Sequence, residues 1–228
     1  MWTLRWRRLR YRGRAAGTPL EACWSAPLPN GRQPWQAQSY LVCDAEMSSL
    51  EIASGKLLSL GWVAIDNGRI ALASAEHHLV ASDESVGQSA GIHQLRDCDL
   101  EGAESEEQVM ARFCAAARGR VLVFHHAPLD LAYLNRASKR YFGVPLLLPH
   151  LDTLTLELRR FQRREEHPRK GELTLAGCRQ RYGLPDYPVH NALVDALATA
   201  ELFLAIAGYR GGLDGAGINK PLKLEDLI

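Results

Sequence analysis

Residues 40–80 read YLVCDAEMSSLEIASGKLLSLGWVAIDNGRIALASAEHHLV, and the fold follows from this stretch. Tyr40-Leu41-Val42-Cys43 is a short apolar run, read as a buried strand ending at Asp44. Lys56 to Ile65, rich in Leu and Val, is a second strand, and Ile70 to Val80 a third. Between them, Asp66-Asn67-Gly68-Arg69 signals a tight turn, because Asn-Gly tolerates the two positive φ angles of a type I′ hairpin. Three strands in an antiparallel meander therefore come first.

Downstream the period changes from two to that of a helix. Glu104 to Arg118 repeats apolar residues at Val109, Phe113 and Ala116, and Val121-Leu122-Val123-Phe124 is another buried strand that closes at His125-His126. Leu129 to Phe142 reads as a helix, and Asp152 as the N-cap of a helix that continues to about Arg164. Leu173 to Tyr182 and the Ala/Leu-rich Asn191 to Ala207 complete the series. A meander followed by alternating helices and short strands is an α/β pattern with a mixed central sheet flanked by helices, consistent with a ribonuclease-H-like fold.

Upstream, residues 1–38 read as a basic N-terminal extension, 39–208 as the domain proper and 209–228 as a Gly-rich C-terminal tail. The net charge of +1 conceals an asymmetry: Arg5, Arg7, Arg8, Arg10, Arg12 and Arg14 precede the first acid, and the rest of the chain holds 21 basic against 26 acidic residues. The extension is read as an arm for phosphate backbones or an anionic membrane surface, or else as a disordered or core-packed segment. Trp2, Trp6 and Leu9 sit at helical spacing within it. The tail is either a docking peptide or a self-packed terminus. Five scattered cysteines without a C-x-x-C pair argue against a disulfide framework or a structural zinc site. They fit a reducing, cytoplasmic setting. No apolar run is read as a membrane span and no secretory signal as a leader.

The chemistry lies in acidic residues that the elements present at their ends. Asp44 and Glu46, two apart on a strand, share one face. Asp130 opens a helix just after the strand that ends at His125. Asp195 follows His190 by five residues. On an ideal helix those two would stand about 140° apart, so they converge only if His190 lies on the loop before the helix. Pro188 and the possible cap Asn191 support that boundary. Clustered carboxylates are costly without cations, and hard oxygen donors suit Mg²⁺ or Mn²⁺. A histidine beside them is a natural general base.

These segments resemble the three motifs of the DEDDh 3′-to-5′ exonucleases, the DnaQ-like family that includes the proofreading epsilon subunit of the bacterial replicative polymerase. The motif D-x-E-T-x-G-L resembles Asp44-Ala45-Glu46-Met47-Ser48-Ser49-Leu50, and H-N-x-x-F-D resembles His125-His126-Ala127-Pro128-Leu129-Asp130. The motif H-x-A-x-x-D-A matches His190-Asn191-Ala192-Leu193-Val194-Asp195-Ala196 at every defined position. Gly91-Ile92-His93 and Leu151-Asp152-Thr153 resemble two further segments of the family. Met47 stands for the usual Thr, Ser49 for Gly, His126 for Asn and Leu129 for Phe, and none of these changes removes a carboxylate. The Glu46-Met47 pair resembles the oligoribonuclease branch.

The resemblance implies a two-metal phosphodiester hydrolase. Asp44, Glu46 and Asp195 would hold one cation, Asp44 and Asp130 a second, and His190 would deprotonate the attacking water. Main-chain groups at Met47 and Ser48 would meet the terminal nucleotide. Single-stranded DNA 3′ ends are the first expected substrate and short RNA the second, with nucleoside 5′-monophosphates as products. A protein partner would engage the basic arm or the tail. The rival reading is a non-catalytic nucleic-acid- or partner-binding module on the same fold. A basic cluster, Arg159, Arg160, Arg163, Arg164, Arg169 and Lys170, either steers a strand or is a solvated face. His125 and His126 end a strand near Asp130 and either support it or have no role there, and the remaining histidines are read as surface or supporting residues.

Overall fold

The computed structural model describes residues 2–81, 102–188, 191–211 and 222–227. Its centre is a five-stranded sheet of order β3-β2-β1-β4-β5. The strands are β1 (Tyr40–Met47), β2 (Leu57–Asp66), β3 (Arg69–Leu79), β4 (Val121–Phe124) and β5 (His150–Asp152). β1 runs antiparallel to β2 and parallel to β4, so the sheet is mixed as expected. The β2–β3 turn has φ values of 53° at Asn67 and 71° at Gly68, the pair that a type I′ turn requires. β1 runs three residues past Asp44, because β2 continues to pair with it as far as Met47. β5 escaped the sequence reading: three residues are too few to show a period, and it exists by pairing with β4.

Helices cover both faces. On one lie α1 (Trp2–Ala15), α2 (Pro19–Ser25), α3 (Glu106–Ala117) and α4 (Ala127–Phe142). They close over Leu41, Cys43, Leu60 and Trp62 with Leu20, Phe113 and Leu134. Ser105 begins α3 with a reciprocal capping box to Gln108. On the other face lie α5 (Thr153–Arg163), α6 (Leu175–Arg181) and α7 (Ala192–Arg210). They pack Leu156, Cys178, Phe203 and Ile206 on Tyr40, Val42, Val63 and Ile65. The alternation along β1 thus assigns Asp44 and Glu46 to the α7 face.

Both terminal segments are folded onto this body. Leu20 is fully buried, Cys23 donates its thiol to Cys114 O at 3.0 Å, and Arg8 Nε donates to Leu147 O at 2.9 Å. The described part of the tail pairs with the chain's own residues: Trp35 N–H donates to Leu222 O, Glu225 N–H to Gly31 O, and Leu224 and Leu227 are buried. Backbone that a docking peptide would offer to a partner is here engaged internally. α7 corrects the expectation that no run has the length of a membrane span, for it is long and apolar enough to cross one. Its apolarity has another use, since α7 lies across β1, β2 and β3 and buries Ala200, Leu202, Phe203 and Ile206 against them.

Candidate active site

Three carboxylates from two elements meet. Asp44 and Glu46 project from the same face of β1, and Asp195 reaches them from the first turns of α7. One oxygen of each lies within 4.8 Å of the others. Local sequence fixes each approach. Asn191 caps α7, its Oδ1 accepting the N–H groups of Leu193 and Val194 at 3.1 and 3.2 Å. Gly61 lies opposite Asp44 on β2, and a Cβ there would stand 2.3 Å from Leu193 N. Only glycine lets the start of α7 sit this close to the sheet.

Asp130 enters from the other side of β1. Ala45 N–H donates to its Oδ1 at 3.1 Å. β4 pairs with β1 only as far as Val42, so the Ala45 N–H lies beyond the ladder on that side and Asp130 satisfies it. Asp130 is placed by the turn that starts α4. His126 adopts a left-handed conformation at φ 75°, and its N–H donates to Asp152 Oδ1 at 2.9 Å. Asp152 also caps α5 through Leu154 N–H at 3.0 Å, as its sequence position predicted. His125 is tied by Nδ1 to Thr153 Oγ1 at 2.8 Å and by Nε2 to Leu173 O at 3.0 Å, so it braces this corner.

The loop after β1 is clamped from below by α4. Tyr133 Oη donates to Ser49 O at 2.7 Å, and Arg136 reaches Ile52 O and Gly55 O. A Cβ at Gly55 would lie 1.8 Å from Tyr133 Oη. Met47 buries its side chain in the core, and Ser48 N–H donates to Lys56 O at 2.9 Å. His190, like Gly91, Ile92 and His93, lies outside the described residues.

Burial and crowding make this cluster electrostatically expensive. Asp44 is held well above the ordinary carboxylate pKa, first by burial and then by Asp130, Asp195 and Glu46. Asp130 is pushed up to about 8 by burial, against the pull of its backbone donors and with a further push from Glu46 and Asp152. An all-oxygen set crowded enough to raise the Asp44 pKa suits a hard divalent cation, which would supply the missing countercharge.

Two neighbouring polar groups were not singled out from the sequence. Ser59, paired with Glu46, and His77, paired with Gly61, lie on the carboxylate face of the sheet. The buried Ser59 Oγ and His77 Nε2 have no partner among the described residues. The signal available in the sequence was their register, which becomes legible only once the β2–β3 turn has fixed the pairing.

Residues 41–203 match the family model described as Exonuclease (RNase_T), well over half the chain. The epsilon subunit of DNA polymerase III from Aquifex aeolicus is 25% identical over 170 residues, 74% of this chain and 80% of that protein. A PolC-type DNA polymerase III from Thermotoga petrophila is 26% identical over 190 residues, 83% of this chain but 13% of that much longer one. Among solved structures, E. coli exonuclease I in complex with a dT13 oligonucleotide superposes with a TM-score of 0.64 at 15% identity. That match covers 74% of this chain and 41% of the other. The shared fold is the ribonuclease-H-like one.

Proposed function

The chain belongs to the Exonuclease (RNase_T) family, and from that premise we propose that it hydrolyses single-stranded nucleic acid from the 3′ end. The products are nucleoside 5′-monophosphates. The carrying observation is the convergence of Asp44, Glu46 and Asp195 within 4.8 Å, with Asp130 held at Ala45 between the first two.

When bound, two Mg²⁺ or Mn²⁺ ions would supply positive charge to the attacking and leaving oxygens; Asp44, Glu46 and Asp195 would hold one, and Asp44 and Asp130 the other. The chain's own residues do the rest. His190, the residue before the cap Asn191 in the sequence, accepts the proton of the attacking water, a role for which an imidazole is suited. Asn191 and Gly61 position Asp195, and Asp152 and His125 position Asp130. The clamped loop at Met47 and Ser48 faces the terminal nucleotide and its shape sets which sugar fits.

DNA is the preferred polymer, because the similar proteins are DNA polymerase III subunits and an exonuclease I that binds oligo-dT. RNA is the second reading, favoured by Met47 directly after Glu46. Editing beside a polymerase would require a partner surface. Among the described residues, Cys23, Cys43, Cys114 and Cys178 are buried and free, which accords with a reducing, cytoplasmic setting.

The test is incubation of 5′-labelled DNA and RNA oligomers with Mg²⁺, Mn²⁺ or EDTA, beside Asp44→Ala. A cation-dependent ladder shortening from the 3′ end, absent in the variant, is the expected result, and the faster ladder identifies the polymer. Intact oligomers in every lane would leave a binding module in place of an enzyme.

A further inference from the structure

α1 and α2 enclose a groove of about 570 Å³ remote from the carboxylates. Arg5, Arg8 and Arg12 recur at three and four residues, so they line up along one face of α1, about 4.5 and 6 Å apart along its axis. Trp24 forms the facing wall, with the Arg8 guanidinium 6.0 Å from its ring centroid. One acid, Glu21, borders the groove, and its carboxylate accepts Gly17 N–H at 2.7 Å. Among the described residues no carboxylate forms an ion pair with Arg5, Arg8 or Arg12.

An arginine in this state is unusual. Arg8 is 8% exposed, and burial lowers its pKa to about 10, opposed by the Cys23 thiol and by no carboxylate. The groove therefore carries a standing excess of positive charge that an anion would relieve. Leu9 lines it, and Trp6, three residues away on the same helix, is 67% exposed. We propose that this groove binds the phosphate backbone of a single-stranded nucleic acid, Arg5, Arg8 and Arg12 taking successive phosphates and Trp6 stacking on a base.

Guanidinium forks match phosphate oxygens, and arginines interleaved with an exposed aromatic ring are the pattern of single-strand grooves. Among the described side chains of α1, the exposed large apolar residues are Trp6 and Leu9, a narrow face for a lipid interface. α1 also lies near Val121, Pro149 and His150, where β4 and β5 begin. The carboxylates lie toward the other end of the sheet: Asp44 is four residues, about 13 Å, beyond Tyr40, the partner of Val121. The groove is thus a second contact, reached only by a strand long enough to extend from the active site. The substrate class rests on the proposed function, but the binding does not.

Arg5 and Arg12 are exposed, so R5Q/R12Q removes charge without touching the core. Binding of a long fluorescent oligothymidylate is measured in EDTA across a salt series. Hydrolysis of a chromogenic ester of thymidine 5′-monophosphate, too small to reach the groove, is measured with Mn²⁺. The expected result is a loss of about tenfold or more in affinity for the long strand. The slope of log Kd against log salt falls by about 1.4, two lost phosphate contacts at roughly 0.7 each, while the ester is turned over as before. Equal binding by both proteins overturns the groove and leaves the enzyme standing. Arginine-dependent binding to phosphatidylserine vesicles, with oligothymidylate binding unchanged, overturns it in favour of a membrane surface. An ester left intact by both proteins, with strand binding still weakened, sinks the enzyme reading and keeps the groove.

Discussion

Asp130 Oδ1 accepts the N–H of Ala45 at 3.1 Å, and so joins the start of α4 to the residue between Asp44 and Glu46. The bond satisfies a donor that β4 is too short to pair, and it places an acidic group beside a strand that already carries two. Structure and chemistry can be separated here. Asp130→Asn keeps an oxygen for Ala45 but loses the negative charge. Its stability should stay within about 1 kcal/mol of the parent. Its exonuclease rate should fall at least a hundredfold, roughly 2.7 kcal/mol of transition-state stabilisation. Thermal melts in EDTA and a ladder assay read the two quantities, and a variant that cleaves at the parental rate would remove Asp130 from the site.

Gly61 sets the other approach. A methyl group at this position would meet Leu193 N at 2.3 Å, backbone that cannot swing aside, so α7 must lift from the sheet. Gly61→Ala is expected to cost about 1–3 kcal/mol by overpacking. It should also weaken the gain in Tm that Mn²⁺ gives, because Asp195 rides on the displaced helix. A parental melting curve with a parental response to Mn²⁺ would show that the close approach is not needed.

The sequence and the structure diverge where tertiary pairing, and not local pattern, decides. Asn67-Gly68, the β4 run, the Asp152 cap and the Asn191 cap were all legible because each has a local physical cause. Strand β1 was read as stopping at Asp44, since a carboxylate looks like a strand end, yet β2 carries it on to Met47. α4 begins two residues earlier than expected, at Ala127, since Pro128 is well tolerated in a first turn. The arginines of residues 1–14 left a core-packed segment as one alternative among several, and the burial of Ala15, Leu20 and Cys23 anchors the segment to the core. The convergence of Asp44, Glu46 and Asp195 was legible because the chemistry expected of them limits them to few residue types. The orphaned Ser59 and His77 were not, because nothing in their own neighbourhoods marks them.

Residues 222–227 supply a third expectation. Leu224 and Leu227 are buried, and the backbone there bonds to Gly31, Gln33 and Trp35. Ending the chain at residue 211 should lower stability by several kcal/mol, at roughly 1.5–3 kcal/mol for each buried leucine. Urea unfolding measures this, and an unchanged midpoint would free the tail for a partner.

His190 carries the proton in the proposed reaction. His190→Ala should lower kcat by about 10²–10⁴ and remove the acidic limb of the pH–rate profile, since a protonated imidazole cannot accept the proton. The same limb surviving in the variant would assign it to a carboxylate.

Finally, the acidic cluster should make stability depend on pH in a direction that cations reverse. Asp44 and Asp130 have folded-state pKa values raised above the unfolded value near 3.9, Asp130 to about 8. The folded protein therefore holds more protons than the unfolded chain between those limits. Stability from these two groups is full below about pH 4 and is lost as pH rises through the folded values. In EDTA the Tm should fall from about pH 5 to about pH 9. Mg²⁺ or Mn²⁺ competes with those protons for the same oxygens, so the gain in Tm on adding metal should be larger at about pH 9 than at about pH 5. A metal-free Tm that climbs across this range would mean that the carboxylates are already compensated within the chain, and the need for cations at this site would lose its physical basis.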